Sequence, residues 1–530
     1  MMAKVLVSDS LSKDGLALLQ SAEGIELINK PGLNEADLAA AIVGVDALVI
    51  RSGSKVTAKV IEAADRLRVI GRAGIGVDNV DVKAASRRGI IVMNTPTGNA
   101  VTTAEHAIGL LFSVARKIPQ ASASMKEGKW DKKSFEGREL SGKTLGVIGL
   151  GNIGRIVADR ARGLRMNVVG YDPFMTAERA AELGIKLCSL DDLFAQADAI
   201  TVHTPLTAET KGLVNDASIA KMKKGVLLVN AARGGIYDEA AVIRGLDSGQ
   251  IGGAGFDVFL EEPPGLTDLV KHPRVVVTPH LGASTEEAQL RVSTEIAQQV
   301  VAYLQTGEVV NAVNAPSVAR EMAGVLGPYL GLSRGLGQFL AQVESVRPRT
   351  IEIECSGEAG SLPAAAIVNS ALSGLLSAFF DAPVNAVNAP VLAKEGGIEV
   401  RHQTTTQVGE FASLVTLTLV GADGARASVS GTLGGDRRAR LTRWNTFEME
   451  APLEGSVLVV RNHDRPGVIG TVGTILGGAA INVASVNMGL QRGSGEAASL
   501  WALDSALPAP VLEQVRGARD VTRAAAVTIS

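Results

Sequence analysis

Short apolar runs separated by amphipathic stretches fill the first part of the chain. Before residue 95 these runs lie at Val5–Val7, Ile25–Ile28, Ala47–Ile50, Arg68–Ile70 and Ile90–Met93. Strands that are buried on both faces read as continuous apolar runs, whereas half-exposed strands alternate polar and apolar residues. The pattern therefore predicts a parallel sheet with helices packed on both faces.

A second set of apolar runs follows a long helical pattern over residues 100–118. These runs lie at 144–148, 166–172, 199–203, 226–230, 251–257 and 275–280. They predict a second, complete doubly wound, Rossmann-like unit. A helical pattern over 285–304 mirrors the first long helix, and we expect it to lead back to the first sheet. The two helices would form a hinge between a discontinuous domain (residues 1–98 and 287–315) and an inserted one (99–286).

The pattern changes beyond about residue 316. Helical stretches rich in Ala, Gly and Leu at 325–343 and 364–393 precede polar-apolar alternation at 415–420 and 425–430. The dipeptide Asp423-Gly424 between these alternating runs is a strong hairpin signal. The last segment, from about Gly455, has the order of a βαββαβ unit. We expect an α+β domain at 317–452 and a ferredoxin-like domain at 455–530.

Composition excludes several classes of protein. Aromatic residues make up 3% of the chain, the formal net charge is −3, and basic residues form no run, which argues against a nucleic-acid partner. Cys188 and Cys355 are the only cysteines and lie far apart, so we expect no disulfide framework, no metal site and a reducing, cytoplasmic location. The start has no signal-type apolar core and no apolar stretch is long enough to span a bilayer, so we expect no membrane association.

A glycine fingerprint lies between an apolar strand and a helical pattern in the segment Thr144–Arg155. Gly149 allows a tight turn, Gly151 lets the backbone approach a pyrophosphate, and Gly154 allows helix and strand to pack closely. Such an order of strand, glycines and helix is much more specific than the glycines alone. It predicts a dinucleotide bound at the N-terminus of a helix.

Other residues complete the predicted dinucleotide site. The backbone N–H groups of Asn152 and Ile153 would bind the pyrophosphate. Asp172, eighteen residues after Gly154, would accept hydrogen bonds from the adenosine ribose and repel a 2′-phosphate, which favours NAD over NADP. Further NAD contacts are expected at the ends of the later strands, from Thr204, Ala231, Ala232, Asp257, Gly282 and Ala283.

Three of the later strands end in candidate catalytic residues. Arg233, Glu262 and His280 follow successive strands of the second unit, where ligands of doubly wound sheets bind. An imidazole is suited to accept the hydroxyl proton of a 2-hydroxy acid while hydride leaves the adjacent carbon. Glu262 would fix the tautomer of His280, and the two-pronged guanidinium of Arg233 would hold the substrate carboxylate or its developing oxyanion. A single strand-end charge is more often a cap or a surface residue, but three in order favour catalysis.

This trio, the glycine fingerprint and the segment Gly71–Asp81 resemble the D-isomer-specific 2-hydroxyacid dehydrogenases over residues 1 to about 315. The resemblance implies an NAD-dependent oxidation, and within the family it is closest to members that convert 3-phosphoglycerate to 3-phosphohydroxypyruvate at the start of serine synthesis. The stretch 317–452 looks like the intervening domain of the long members, and 455–530 resembles an ACT domain.

The resemblance also implies substrate and effector sites. Substrate anions would bind at Arg51, Ser52, Arg72 and the backbone of Gly74, Ile75 and Gly76, and Lys132 would reach a neighbouring subunit's site. Asn462, Asp464 and Asn482 could bracket an amino acid, and serine is the implied ligand. The alternative is that Asn462 and Asp464 only cap a helix beginning near Pro466. An effector site shared by two copies would require a homo-oligomer, a dimer or a tetramer.

Two other functions stay open at this point. The chain could oxidise another D-2-hydroxy acid, although an uncharged substrate would not need the cationic cluster of Arg51, Lys55 and Arg72. It could also be an NAD-sensing binding protein like the C-terminal-binding co-repressors, which share this fold and trio. A peptide-binding role gains nothing from the ACT-like segment, so a dehydrogenase acting on a phosphorylated 2-hydroxy acid is favoured.

Overall fold

Five parallel strands form the first sheet of the computed structural model, which describes residues 2–316, 320–380, 383–491, 493 and 495–529. The elements of this unit are β1 (Ala3–Val7), α1 (Lys13–Ser21), β2 (Ile25–Asn29), α2 (Glu35–Ala41), β3 (Ala47–Ile50), α3 (Ala58–Ala63), β4 (Val69–Arg72), α4 (Val82–Arg87) and β5 (Ile91–Met93). The strand order is β2-β1-β3-β4-β5. All five predicted apolar runs are strands, and their side chains bury against helices on both faces.

Seven parallel strands form the second sheet. The elements are α5 (Ala100–Arg116), α6 (Ile118–Lys126), β6 (Thr144–Ile148), α7 (Asn152–Gly163), β7 (Asn167–Tyr171), α8 (Ala177–Glu182), β8 (Lys186–Leu187), α9 (Leu190–Gln196), β9 (Ala199–Val202), α10 (Asp216–Ile219), β10 (Val226–Asn230), α11 (Glu239–Asp247), β11 (Ile251–Phe256), α12 (Asp268–Lys271), β12 (Val275–Val277) and α13 (Glu286–Thr306). The strand order is β12-β11-β10-β9-β6-β7-β8. The chain adds strands in one direction from β6 to β8 and in the other direction from β9 to β12, so the switch point lies between β6 and β9. A crevice forms at such a switch point, outside the carboxyl ends of the strands.

The chain leaves the first sheet through α5 and returns to it through α13. Helix α5 packs closely on the second sheet. If Gly253 carried a Cβ atom, that atom would lie only 2.8 Å from the Val114 side chain. Helix α13 packs as closely on the first sheet, because a Cβ atom added to Gly71 would lie 2.8 Å from the Val300 side chain. Beyond α13 the backbone N–H of Val313 donates to the Val92 carbonyl over 2.8 Å. Two helices therefore connect the two sheets.

A third unit packs two long helices against a six-stranded sheet. Its elements are α14 (Arg320–Val343), β13 (Pro348–Gly357), a 3₁₀ turn (Ala359–Ser361), α15 (Ala364–Leu376), α16 (Ala389–Glu395), β14 (Glu399–Thr405), β15 (Ser413–Gly421), β16 (Arg426–Leu433), β17 (Ala439–Trp444) and β18 (Phe447–Pro452). The order is β14-β13-β15-β16-β17-β18, and only β13 and β14 pair in parallel among its described neighbours.

Two predictions for this unit have different outcomes. The hairpin at Asp423-Gly424 is confirmed, because the Gly424 N–H donates to the Gly421 carbonyl and Gly424 has φ 82°. The single helical stretch over 364–393 is wrong, because α15 ends at Leu376 and α16 begins at Ala389. The Asn385 side chain accepts the N–H groups of Val387 and Asn388, which makes a turn before α16.

The last unit is an antiparallel four-stranded sheet with two helices. Its elements are β19 (Gly455–His463), α17 (Val468–Gly478), β20 (Val483–Gln491), β21 (Glu496–Leu503), α18 (Ala509–Arg516) and β22 (Val521–Ile529). The order β20-β21-β19-β22 and the sequence of elements confirm the predicted βαββαβ arrangement. One face of the sheet packs on α17 and α18. Val457, Val459 and Leu500 on the other face join the hydrophobic core of the third unit.

Polar contacts hold the last two units to each other and to the first. Glu344, at the end of α14, accepts hydrogen bonds from Trp444 Nε1 (2.8 Å) and from Arg523 Nη1 of β22 (3.0 Å). The Asn385 Nδ2 group donates to the Gly89 carbonyl of the first unit over 2.9 Å. Arg87 of α4 forms an ion pair with Glu395 of α16 at 2.6 Å. The third unit thus contacts the C-terminal end of α4.

The described residues contain no helix that is both long and apolar enough to cross a membrane. Within the same residues, no group of three or more His, Cys, Asp or Glu side chains could hold a metal ion. Cys188 and Cys355 are both free thiols, and burial raises the pKa of Cys355 to about 11.

Candidate active site

The site predicted from the sequence lies where strands of the two sheets end. Arg51 and Arg72 lie at the carboxyl ends of β3 and β4 of the first sheet. On the second sheet, Gly149, Asp172, Thr204, Arg233, Asp257 and His280 follow β6, β7, β9, β10, β11 and β12. Because parallel strands present their carboxyl ends at one edge, each sheet brings its residues to one side of the cleft.

The glycine loop has the geometry that the fingerprint predicts. Gly149 adopts φ 88°, a left-handed conformation that favours glycine. A Cβ on Gly154 would lie 1.9 Å from the Gly149 carbonyl oxygen, so no other residue fits without moving the loop. A Cβ on Gly151, by contrast, would meet nothing within 4 Å. Gly151 therefore borders open space at the first turn of α7, where a pyrophosphate would bind.

Asp172 and Asn152 are placed around this loop. Asp172 accepts the Leu150 N–H at 2.8 Å and the Phe174 N–H at 2.8 Å. The carboxylate thus lies at the end of the glycine loop, where a ribose of a bound dinucleotide would follow the pyrophosphate. Asn152 donates from Nδ2 to the Pro96 carbonyl over 3.0 Å, which connects the loop to the segment before α5. Ile153 lies in the first turn of α7 beside it.

Polar atoms without protein partners support a ligand in the cleft. Thr204 Oγ1 and His203 Nδ1 are buried and have no hydrogen-bond partner among the described residues. Burial also lowers the pKa of His203 to about 3, so its ring is neutral. A buried polar atom without a partner costs free energy unless something satisfies it. The residues of the loop therefore fit a dinucleotide, and Thr204 offers it a hydroxyl.

His280 and Glu262 form a close pair. His280 Nδ1 lies 2.7 Å from Glu262 Oε2, while Glu262 Oε1 accepts the Phe259 N–H at 3.1 Å. The hydrogen bond with Glu262 raises the pKa of His280 against the opposing effect of burial. Burial acts to raise the pKa of Glu262, but its hydrogen bonds with His280 and Phe259 outweigh that effect and lower it. The contact with Glu262 uses Nδ1 of His280, and the role of His280 as the base stays a prediction.

Asp257 holds the loop that carries His280. Its buried carboxylate accepts the N–H groups of Leu281 (2.7 Å) and Gly282 (2.8 Å) and the Thr278 hydroxyl (2.6 Å). His106 Nε2 of α5 lies 3.1 Å from the same carboxylate. Burial acts to raise the pKa of Asp257, but the hydrogen bonds from His106 and Thr278 outweigh it and lower the pKa. The predicted contact of Asp257 with the nicotinamide stays a prediction.

Backbone conformation at His280 fits this role for Asp257. His280 has φ 54°, which is uncommon for a residue other than glycine, and its N–H donates to the Asp257 carbonyl over 2.9 Å. Gly282 is held a second time, because its carbonyl accepts the Thr103 hydroxyl at 2.9 Å. The Ala283 carbonyl accepts Nε2 of Gln289 at 2.9 Å. His280 is therefore fixed by backbone contacts as well as by Glu262.

Arg233 is held by a turn after β10 and by Asp78, which lies in the loop between β4 and α4 of the first unit. The Asn230 side chain accepts the Ala232 N–H at 3.0 Å and donates to the Arg233 carbonyl at 2.9 Å. Ala231 and Ala232 are buried in this turn. Arg233 Nε donates to Asp78 Oδ2 of the first unit over 2.8 Å. Sequence reasoning missed Asn230 and Asp78, although Asp78 lies within the segment 71–81 on which the family resemblance rests.

Two further arginines line the first-sheet side. Burial lowers the pKa of Arg51, whose Nη1 donates to the Ser10 carbonyl at 3.1 Å. Burial and the nearby charge of Arg233 lower the pKa of Arg72 to about 10. Asp9 accepts the Arg51 N–H at 2.6 Å and so holds the turn that contains the exposed Ser52. The three arginines form a cationic cleft that suits an anion.

The Gly74–Gly76 loop lies against these arginines. The Thr95 hydroxyl accepts the Gly74 N–H at 2.8 Å, and Asn94 Nδ2 donates to the Ile75 carbonyl. A Cβ on Gly76 would lie 1.7 Å from Nη2 of Arg233. The loop backbone therefore directly faces the Arg233 guanidinium.

Lys132 is not brought to this cleft. It lies in an exposed segment, with its ammonium 5.5 Å from the centroid of the Trp130 ring. Trp130 is itself 75% exposed. The role of Lys132 in a neighbouring subunit's site stays a prediction.

The effector candidates lie around α17. The buried Asn462 donates to the His463 carbonyl at 2.7 Å, and Asn482 donates to Asp504. The Asp464 N–H donates to the Gly495 carbonyl at 2.8 Å, and its carboxylate is exposed. Helix α17 begins at Val468 with Gly467 as its N-cap. The alternative in which Asn462 or Asp464 caps this helix is therefore wrong.

Comparisons with known proteins agree with this geometry. The NAD-binding domain of the D-isomer-specific 2-hydroxyacid dehydrogenases matches residues 108–282, and the D-3-phosphoglycerate dehydrogenase intervening domain matches residues 325–445. A crystal structure of D-lactate dehydrogenase from Aquifex aeolicus, complexed with NAD and lactic acid, superposes with a TM-score of 0.53 at 26% identity, covering 59% of this chain and 100% of that one. These matches define an NAD-dependent 2-hydroxyacid dehydrogenase.

Full-length relatives narrow the class. The D-3-phosphoglycerate dehydrogenase of Synechocystis is 40% identical over 98% of this chain and 94% of its own length. The enzyme of that name from Bacillus subtilis is 39% identical over 98% of both chains. The chain belongs to the D-3-phosphoglycerate dehydrogenase family.

Proposed function

We propose that this protein oxidises 3-phospho-D-glycerate to 3-phosphohydroxypyruvate with NAD, the first step of serine synthesis. The observation that carries the proposal is the cleft in which the His280–Glu262 pair, at 2.7 Å, and Arg233 face a cluster of arginines. A substrate with a carboxylate and a phosphate has one anionic group for Arg233, on the side of the second sheet, and one for Arg51 and Arg72, on the side of the first sheet. The names of the full-length relatives support the same substrate.

His280 is proposed as the general base. Bound NAD supplies the hydride acceptor. As the C2–H bond breaks and its electron pair leaves, the hydroxyl proton moves to His280 Nε2 and a C2 carbonyl forms. Glu262 fixes the tautomer through Nδ1 and stabilises the imidazolium that results. Asp257 keeps His280 in place through the Leu281 and Gly282 N–H groups.

Arg233 and the first unit are proposed to hold the substrate anions. The planar guanidinium of Arg233 binds the carboxylate and the C2 oxygen, where negative charge is largest during the reaction. Arg51, Ser52 and Arg72 bind the phosphate, and the Gly74–Gly76 loop contributes the backbone N–H groups of Ile75 and Gly76.

A substrate panel tests this function. We expect rapid NAD reduction, followed by absorbance of the reduced cofactor, with 3-phosphoglycerate. D-Glycerate is the matched control because it lacks only the phosphate, and D-lactate tests the general class. Equal kcat/KM for phosphorylated and unphosphorylated acids would contradict the proposed substrate.

Regulation by serine belongs to the same proposal. We assign residues 1–98 with 287–315 to substrate binding, 99–286 to NAD, 317–452 to an intervening domain and 455–530 to an ACT domain. Of these, 1, 317–319, 381–382, 492, 494 and 530 lie outside the described residues. Serine would bind at Asn462, Asp464 and Asn482 between two ACT domains of a dimer or tetramer. It can inhibit only by binding open and closed arrangements of the catalytic units with different affinity.

A single exposed carboxylate tests the effector site. We expect Asp464→Ala to abolish serine inhibition and the calorimetric heat of serine binding, while kcat without serine stays unchanged. Glu513→Ala, an exposed acid of α18, is the control. If calorimetry detects no binding of serine to the unmodified protein, the proposed site is contradicted. The last unit would then serve only in assembly of the oligomer.

A further inference from the structure

An ion pair crosses the cleft between the two catalytic units. Arg233 follows β10 of the second sheet, and Asp78 lies between β4 and α4 of the first. Arg233 Nε donates to Asp78 Oδ2 over 2.8 Å, across 155 residues of chain. Building on the proposed function, we propose that Asp78 is a positioning residue, which orients the Arg233 guanidinium for the C2 oxygen of the substrate, where negative charge is largest during the reaction.

The hydrogen bonds of Arg233 show what Asp78 contributes. A guanidinium has five N–H donors in a rigid plane. The Nε–H goes to Asp78, and one Nη1–H goes to the Ala232 carbonyl at 2.6 Å. Asp78 Oδ2 and Arg233 Nη2 lie 2.8 Å and 1.7 Å from the position that a Cβ on Gly76 would take. The two fixed donors set the plane of the guanidinium and direct its remaining N–H groups along the Gly74–Gly76 loop.

Electrostatics gives Asp78 a second effect on the substrate. Arg51, Arg72 and Arg233 gather positive charge, and repulsion by Arg233 contributes to the lowered pKa of Arg72, whereas Asp78 acts to raise that pKa. Removal of the Asp78 charge therefore makes the cleft more positive while it releases Arg233. The first change strengthens binding of a substrate anion, and the second weakens stabilisation of the transition state. These effects act on different kinetic constants.

A role in folding stability is a poor explanation for this pair. The side chains of Asp78 and Arg233 are 64% and 29% exposed. Ion pairs at such exposure contribute little to stability, because water screens the charges and ordering of the side chains costs entropy. Asp81, three residues later, serves instead as the N-cap of α4 and accepts the Ala84 N–H at 2.9 Å. Asp81 thus offers the same charge in the same loop without contact with Arg233.

The experiment compares Asp78→Asn with Asp81→Asn, since asparagine also caps helices well. For Asp78→Asn we expect kcat with 3-phosphoglycerate to fall by about tenfold or more while KM and the calorimetric Kd stay the same or decrease. For Asp81→Asn we expect all three constants to stay within about twofold of the unmodified protein. An increase in KM at unchanged kcat, or equal effects of both substitutions, overturns the proposal.

A double-mutant cycle with Arg233→Lys tests whether Asp78 acts through Arg233. Lysine keeps the charge but lacks the planar fork. We expect Asp78→Asn to reduce kcat much less in the Arg233→Lys background than alone. Independent losses that multiply overturn the proposal. The unmodified protein in the same assay reports on the proposed function separately, because its failure to oxidise any acid of the panel concerns that function and not Asp78.

Discussion

Two histidines near the cleft show how burial and partners set proton affinity. Burial alone acts on His203 and lowers its pKa to about 3, so it stays neutral at any physiological pH. His280 is also partly buried, but the hydrogen bond with Glu262 reverses the outcome and raises its pKa. Of these two histidines, only His280 has a carboxylate partner that favours its protonated form, which supports its assignment as the base.

Removal of the base should abolish the chemistry without loss of the cofactor site. We expect His280→Ala to lower kcat by about 10²–10⁴-fold, the range for a positioned acid or base. NAD affinity, measured by fluorescence titration, should stay close to that of the unmodified protein because the glycine loop is untouched. His402→Ala, on the exposed strand β14, is the control. An active His280→Ala enzyme with an unchanged pH profile would contradict the mechanism.

The pH profile should report the His280–Glu262 pair. In the oxidation direction His280 must be neutral, so kcat/KM falls as pH drops through the pKa of His280 in the free enzyme. Glu262 raises that pKa, and Glu262→Gln should therefore lower it and move the acidic limb of the profile to lower pH. The profile of kcat/KM measured across the neutral range checks the direction. A limb at the same pH in both proteins would show that another group titrates.

The preference for NAD should depend on Asp172. Its carboxylate lies at the glycine loop, where it would repel a 2′-phosphate. Phe174, two residues later, has a 95% exposed side chain and offers a place for a cation. We expect Asp172→Ser with Phe174→Arg to raise the ratio of NADP to NAD kcat/KM by about tenfold or more, because one repulsive charge is removed and one attractive charge is added. Phe174→Arg alone is the control, and an equal ratio in both variants contradicts the role of Asp172.

At the scale of elements, two glycines in the turn from β6 to α7 have different roles. Gly151 leaves room for a ligand, whereas Gly154 allows the helix and the strand to pack closely. The Gly154 Cβ position is blocked at 1.9 Å by the Gly149 carbonyl, whereas the Gly151 position is open. We expect Gly154→Ala to lower both Tm and NAD affinity, because helix and strand must separate. Gly151→Ala should weaken NAD binding with a nearly unchanged Tm. Calorimetry for both quantities checks this, and a Gly151→Ala protein that binds NAD normally would place the pyrophosphate elsewhere.

The elements that could be predicted from the sequence are those whose buried apolar residues follow a regular pattern along the chain. Most parallel strands of both catalytic sheets are continuous apolar runs, so they could be read directly. Strand β8 was missed, because it is an edge strand of two residues that begins with Lys186. Strand β14 (EVRHQTT) was missed because it is a largely exposed edge strand with polar residues on both faces. Strands β17 and β18 were missed as well, since charged residues interrupt their apolar positions.

The site shows a similar limit. The residues at strand ends could be found because the fold fixes where a strand end lies. Contacts between Asp78 and Arg233, or between His106 and Asp257, join positions more than a hundred residues apart, and they depend on how loops pack. The left-handed conformation of His280 has no signal in its residue type. Sequence therefore indicated which groups take part, and the structure shows what holds them.

At the scale of the whole molecule, helix α4 connects the third unit to the catalytic cleft. Its C-terminal end contacts α16 through Arg87 and Glu395, and Asn385 donates to the Gly89 carbonyl just beyond. Its N-terminal end follows the loop that contains Asp78, the partner of Arg233. A shift of the third unit would therefore move the Arg233 partner directly.

This connection can be tested with one atom changed. Asn385→Asp keeps the acceptor for the Val387 and Asn388 N–H groups but replaces the donor to the Gly89 carbonyl with a repelling oxygen. We expect serine to bind with the same Kd and to inhibit less, with kcat unchanged in its absence. Serine titration by calorimetry and by rate separates binding from response. Inhibition equal to that of the unmodified protein would exclude this joint as the route.

The core shared by the third and fourth units has a consequence for how such proteins recombine. Leu453 and Ile529 both lie near Gly335 of α14, at 3.1 and 3.2 Å from its Cβ position, so β22 covers one side of that helix. A graft of residues 455–529 onto another protein would carry an apolar sheet face without its partner, and the donor would keep an uncovered α14. Residues of the third and last units therefore share one hydrophobic core, and a transfer of the final sheet to another protein requires a helix surface that matches α14.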